Sequence, residues 1–175
     1  LTPAQYAEIA ERNPWFKSHG APNPARIDLI RLSSARGPDG GGKTDLLVGL
    51  SLTQHKRSLI LRRQYTDLGG LIDDAIKING SRNGFNGSPP PRLTLGDEHF
   101  IDFGACARVG DEQHWMGKAH DLIVFDEATQ FSFLQIRFLM GWVRTTDPNQ
   151  RCQTLMTFNP PTDAEGRWII RFFAP

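Results

Sequence analysis

Gly37-Pro38-Asp39-Gly40-Gly41-Gly42-Lys43-Thr44 stands between a candidate strand, Arg26 to Leu32, and a candidate helix, Asp45 to Gln54. The stretch matches G-x-x-x-x-G-K-[ST]. Each residue type in that pattern has a physical reason. Glycines admit φ > 0 and let the backbone come close to phosphate oxygens. Successive N–H groups then point inward, beside the positive end of the helix that follows. Lys43 supplies a point charge for β- and γ-phosphates, and the Thr44 hydroxyl is a ligand for Mg²⁺. This reads as a phosphate-binding loop. The competing reading is a flexible glycine-rich loop next to a chance Lys-Thr pair.

Downstream, Leu122-Ile123-Val124-Phe125 is a continuous apolar run that ends in Asp126-Glu127. Four apolar residues in a row fit a strand buried on both faces, and strand C-termini are where α/β proteins place ligands. Asp126 at that point would hold the Mg²⁺ water shell, and Glu127 would be the general base for an attacking water. The bland alternative is a solvated acidic pair in a turn, which leaves the apolar lead-in and the upstream loop unexplained. A third block, Thr157-Phe158-Asn159-Pro160, again follows an apolar strand, Thr154 to Thr157. A polar side chain there can touch a γ-phosphate or the attacking water, although Asn-Pro by itself is a common turn.

The rest of the chain fills in the fold. Ser58 to Leu61 reads as a strand entering Arg62-Arg63, and Leu68 to Ile78 as a helix. Asn79 to Arg92 reads as a loop, His99 to Phe103 and Ala105 to Val109 as a hairpin around Gly104, and Phe131 to Val143 as a helix. Near the start, Pro3 to Arg12 reads as a short helix. Strands alternating with helices predict an α/β protein with a mainly parallel sheet.

Length and composition agree. The 175 residues suit one domain, 1–175. A net charge of +1 excludes a global basic field, so nucleic-acid contact would need a local patch. Cys106 and Cys152 form no CxxC pair and point to a reducing compartment without a zinc site or a disulfide framework. No apolar run approaches the length of a membrane span. The chain starts at Leu1, and Trp168 to Pro175 is strongly apolar and aromatic, so a fragment of a longer protein is expected.

On five blocks the chain resembles the ATPase domain of phage terminase large subunits, the motors that package DNA into procapsids. They are Gly37 to Leu47, Ser58 to Leu68, His120 to Phe131, Gly141 to Pro148 and Thr157 to Trp168. They occur in the family's order and extend from about Ile30 to Pro175. The resemblance implies a three-layer P-loop NTPase of the ASCE type, with a central, mostly parallel sheet flanked by helices. It implies ATP hydrolysis, with ATP and Mg²⁺ held by Gly37, Gly40, Gly41, Gly42, Lys43 and Thr44. Asp126 would be the second metal residue and Glu127 the base. Asn159 would lie in the motif that couples hydrolysis to movement.

The resemblance also implies partners: double-stranded DNA, a small terminase subunit, the portal of the procapsid, and further copies in a ring. No membrane is involved, and the place of action would be the cytoplasm of an infected bacterial host. A metal-dependent nuclease domain would follow beyond Pro175. An arginine finger would come from Arg144 of a neighbour or, in cis, from Arg36. Two departures from the family stand out. Pro38-Asp39 puts a carboxylate inside the loop, and Phe158 occupies a position where small residues are common. The alternatives are a helicase-like DNA-remodelling ATPase on the same scaffold, or a nucleotide-binding module with little turnover.

Other residues have two readings each. Arg62, Arg63 and Gln64 are either phosphate contacts or a solvated turn. His114, Trp115 and His120 match no zinc spacing, and Trp115 reads as packing. Trp142, Trp168 and Phe158 read as core or interface, and Phe172-Phe173 as an exposed patch.

Overall fold

In the computed structural model the described residues are 29–33 and 42–173. The expected helix Pro3 to Arg12, and with it Arg36, Gly37, Pro38, Asp39, Gly40 and Gly41, lie outside them.

The described chain runs β1 (Leu29–Ser33), α1 (Lys43–Thr53), β2 (Arg57–Arg62), α2 (Leu68–Asn79), β3 (Phe85–Asn86), β4 (Arg92–Gly96) and β5 (His99–Ala105). It continues through β6 (Leu122–Phe125), α3 (Phe133–Met140), β7 (Gln153–Phe158) and α4 (Trp168–Phe173). The strands form one seven-stranded sheet in the order β1-β7-β6-β2-β5-β4-β3. The five strands from β1 to β5 in that order are parallel, and β4 and β3 add antiparallel edges. β7 separates β1 from β6.

Continuous apolar strands are explained by cover on both faces. Every residue of β6 and β7 is buried. On one face Ile60, Val124 and Leu155 pack with Leu47 and Val48 of α1 and Leu68, Leu71 and Ala75 of α2. On the other face Leu59, Leu61, Ile123, Phe125 and Met156 pack with Trp115, with Ile136 and Leu139 of α3, and with Ile169 of α4. The result is three layers, helix–sheet–helix. Truncating a side chain such as Leu61 or Ile136 to alanine would cost about 2–5 kcal/mol. At the N-terminal edge of the parallel strands a buried polar group closes the core. His55 lies between Asp121 (3.0 Å) and Gln153 (3.1 Å), and Asp121 also accepts the Lys56 and Arg57 N–H groups.

Three local expectations change. No hairpin turns at Gly104. β5 runs straight through it, and the hairpin joins β4 to β5 at Asp97-Glu98, with Glu98 at φ 60°. Gly104 is needed for space instead, since a Cβ there would lie 2.1 Å from Cζ2 of Trp115. The expected loop from Asn79 to Arg92 contains β3, which pairs with β4. The helix expected over Phe131 to Val143 is shorter, because Ser132 caps it. The Ser132 hydroxyl accepts the Gln135 N–H, and the Gln135 side chain accepts the Ser132 N–H. That S-x-x-Q capping box leaves Phe131 outside the helix, buried with Ile136 in one cluster and edge-on to Phe125.

Trp115 and Phe158 are buried as expected, and Phe158 stacks on Phe173. Phe172 and Phe173 are half-buried against the core and do not form an open patch. Among the described residues no helix is long and apolar enough to cross a membrane.

Candidate active site

Leu61 of β2, Phe125 of β6 and Met156 of β7 share one row of the parallel register. One residue further along each chain comes a row of polar side chains, Arg62, Asp126 and Thr157. The Asp126 N–H donates to the Leu61 carbonyl (2.9 Å), which carries the ladder into this row. Side chains in one row share a face, here the face that α1 and α2 cover.

Asp126 is only 2% exposed. A carboxylate so enclosed must be paired. Arg62 donates to Asp126 Oδ2 through Nη2 (2.6 Å) and Nε (2.8 Å), and the Thr157 hydroxyl donates to Oδ1 at 2.5 Å. Arg62 also donates through Nη1 to the Asp67 carbonyl (3.2 Å).

Glu127 follows at φ 57°, ψ 51°. Left-handed backbone in a residue with a Cβ costs roughly 1–2 kcal/mol, and such positions concentrate at functional sites. The bend ends β6 and opens a turn of 3₁₀ helix at Ala128–Gln130. Gln130 donates to Glu127 Oε2 at 2.6 Å.

The loop and the third block also meet. Gly42 takes φ 68° and α1 begins at Lys43. A Cβ on Gly42 would touch nothing within 4 Å, so glycine is required there by backbone geometry and not by space. Lys43 Nζ donates to Asn159 Oδ1 at 2.7 Å. The start of α1, the end of β7 and the end of β6 therefore face one edge of the sheet, with the positive pole of α1 turned to it.

The oxygens of Thr44 and Asp126 suit a hard divalent cation. Among the described residues no group of three or more His, Cys, Asp or Glu could hold a metal alone.

No protein-family model matches this chain, and no curated protein does. Among solved structures it is similar to the large terminase of a thermophilic bacteriophage, with a TM-score of 0.48 and 12% identity. The similarity covers 89% of this chain and 38% of the terminase chain.

Arg144 is not brought to its own chain's site. Its N–H donates to the His120 carbonyl (2.8 Å), its guanidinium reaches the Gly117 carbonyl (3.3 Å), and it lies over the Trp142 ring. His120 lies before the start of β6 and Asp126 directly after its end, so the four-residue strand separates them.

The sequence reading weighs Arg62 as a phosphate contact or a solvated turn, and it does not foresee that Arg62 and Thr157 pair with Asp126 or that Gln130 pairs with Glu127. A signal for Arg62 exists, because Ser58 to Leu61 and Leu122 to Phe125 are both four-residue stretches followed by a charged residue, Arg62 and Asp126. Arg63, by contrast, donates to Gln135 Oε1 at the cap of α3.

A separate cavity of about 510 Å³ lies against β4 and β5, lined by Arg57, Arg92, Phe100, Asp102, Lys118 and His120 among others. Asp102 is held there by Arg92 (2.6 and 2.9 Å) and His120 (3.0 Å).

Proposed function

We propose that this chain is the ATP-hydrolysing part of a terminase-like motor that drives double-stranded DNA into a procapsid. The observation that carries the ATPase reading is the convergence of Lys43, Asn159 and the Asp126-Glu127 pair on one sheet edge, from three separate elements. The finer reading is supported by the five sequence blocks on which the chain resembles terminases.

In this reading backbone amides of Gly40 to Thr44 and the Lys43 ammonium bind the triphosphate of ATP. Gly37 would belong to the same nucleotide-binding set. Mg²⁺ held by Thr44 and Asp126 would neutralise charge on the β- and γ-phosphates. Glu127 orients a water for in-line attack and takes its proton. Asn159 would sense the γ-phosphate that Lys43 would hold, a role supported by the hydrogen bond that Lys43 donates to it. Hydrolysis would then be passed to the DNA through the segment after β7.

Arg144 would serve a neighbouring copy in a ring, since its own site is at the other end of β6. Arg36 is the cis alternative. The small terminase subunit and the portal are the expected partners, in the cytoplasm of an infected bacterium.

Phosphate release, measured with and without DNA at several protein concentrations, tests this. Turnover that rises per molecule with concentration, and rises again with DNA, is expected. Absence of Mg²⁺-dependent release under all conditions would reject the ATPase reading.

A further inference from the structure

Asp126 is the carboxylate assigned to the metal, yet both of its oxygens already have partners. Thr157 is a neutral donor whose hydroxyl can turn away. Arg62 is a full positive charge, with two nitrogens on the one oxygen Oδ2. A divalent cation on that oxygen and the guanidinium cannot share it without repulsion.

We propose that Arg62 is a positioning residue that sets the magnesium threshold of the site. Its guanidinium competes with Mg²⁺ for Asp126 Oδ2, and it swings towards the triphosphate when the metal–nucleotide complex binds. The proposal rests on the nucleotide-site reading above.

Three observations carry it. First, the contact is imposed by the sheet. Leu61 pairs with Phe125, so the next residues, Arg62 and Asp126, are side by side whenever β2 and β6 are in register. Second, the exposures differ. The Asp126 side chain is 3% exposed and that of Arg62 is 23% exposed. The carboxylate is fixed inside while the guanidinium has a route outward. Third, beyond Asp126 the guanidinium of Arg62 has, among the described residues, only the longer hydrogen bond to the Asp67 carbonyl. Arg62 is thus held chiefly by the group that a metal would take from it. An arginine released there carries its charge and fork-shaped donors to phosphate oxygens, which suit it.

The test is binding of a non-hydrolysable ATP analogue, AMP-PNP, by calorimetry across a MgCl₂ series. It uses the whole chain and its Arg62→Gln and Arg62→Lys variants. Arg62→Gln removes the competing charge, and the Mg²⁺ concentration for half-maximal binding should fall about tenfold or more, as for a lost charge-assisted bond. Arg62→Lys keeps a charge but loses the two-nitrogen grip, so its threshold should fall less, about threefold. The lysine variant also serves if the glutamine variant does not fold. A merely structural arginine would alter melting temperature and leave the threshold alone. Wild-type binding with thresholds unchanged or raised in the variants overturns the role of Arg62 only. Failure of wild type to bind AMP-PNP at any Mg²⁺ concentration overturns the nucleotide site, and this proposal with it.

Discussion

Lys43 and Asn159 meet through a 2.7 Å hydrogen bond although 116 residues separate them. One opens α1 and the other follows β7, so the bond ties the end of the proposed phosphate-binding loop to the segment expected to couple hydrolysis to movement. The contact is exposed, and its loss should barely affect stability, by no more than about 0.5 kcal/mol. Asn159→Ala should therefore melt like wild type and still bind nucleotide, but turn over slowly. Lys43→Ala should weaken nucleotide binding itself, about tenfold or more. Calorimetry and phosphate release on the two variants check the division. Equal affinity in Lys43→Ala would remove the loop from nucleotide binding.

Glu127 gives a prediction in which stability and activity part. Glu127→Gln keeps the shape and should lower turnover by roughly 10²–10⁴ while binding persists, the usual weight of a general base. Glu127→Gly should be as inactive. It should be no less stable than wild type, because glycine accepts φ 57° without the cost a Cβ brings. Urea midpoints for the three proteins decide this, and a midpoint for the glycine variant well below that of wild type would argue against backbone strain at this position.

Gly104 should tolerate nothing larger. Gly104→Ala drives a methyl into the buried Trp115 ring, which must shift, at a cost of about 1–3 kcal/mol. Trp115→Phe should open room for that methyl. The double variant should then be more stable than the sum of the single losses allows. Additive losses in chemical denaturation would mean that the two residues do not collide.

Asp102 predicts an acid limb. Burial would push its carboxyl up, but the hydrogen bonds and charge of His120 and Arg92 outweigh that and hold it below the usual carboxylate range. A depressed folded pKa stabilises the protein above the unfolded value, about 3.9, and that stability is lost as pH falls through the folded pKa. Asp102→Asn should cost about 1.5–3 kcal/mol at neutral pH, where the charge-assisted bonds count. The gap to wild type should close as pH falls below about 4. Denaturation across that range measures it, and a gap independent of pH would contradict the pairing.

Much of the site is legible in the sequence because its signals are local. Glycine spacing before Lys43-Thr44, a four-residue apolar run before Asp126-Glu127, and Asn159 after a buried strand all depend on residues within a few positions of one another. The same locality misleads at Gly104. An isolated glycine between apolar residues reads as a turn, and the true reason for it, the Trp115 ring, lies in a separate element further along the chain. The start of α3 misleads in the same way, since Phe131 continues the apolar pattern while Ser132 and Gln135 form the cap.

By itself, then, the sequence marked the central strands β2, β6 and β7 and the helices α1, α2 and, less sharply, α3, a mainly parallel sheet, and the residue types that could bind phosphate and activate water, but not β3, β4 or α4. Only the tertiary structure decided who meets whom. Strand order put β7 between β1 and β6 and β6 beside β2. That order brings Lys43 to Asn159, gives Asp126 both Arg62 and Thr157 as neighbours, and carries Arg144 to the far end of β6. Local propensity acts over a few residues of chain. Pairing across a sheet depends on which strands the whole core brings side by side, and no short window of sequence contains that information.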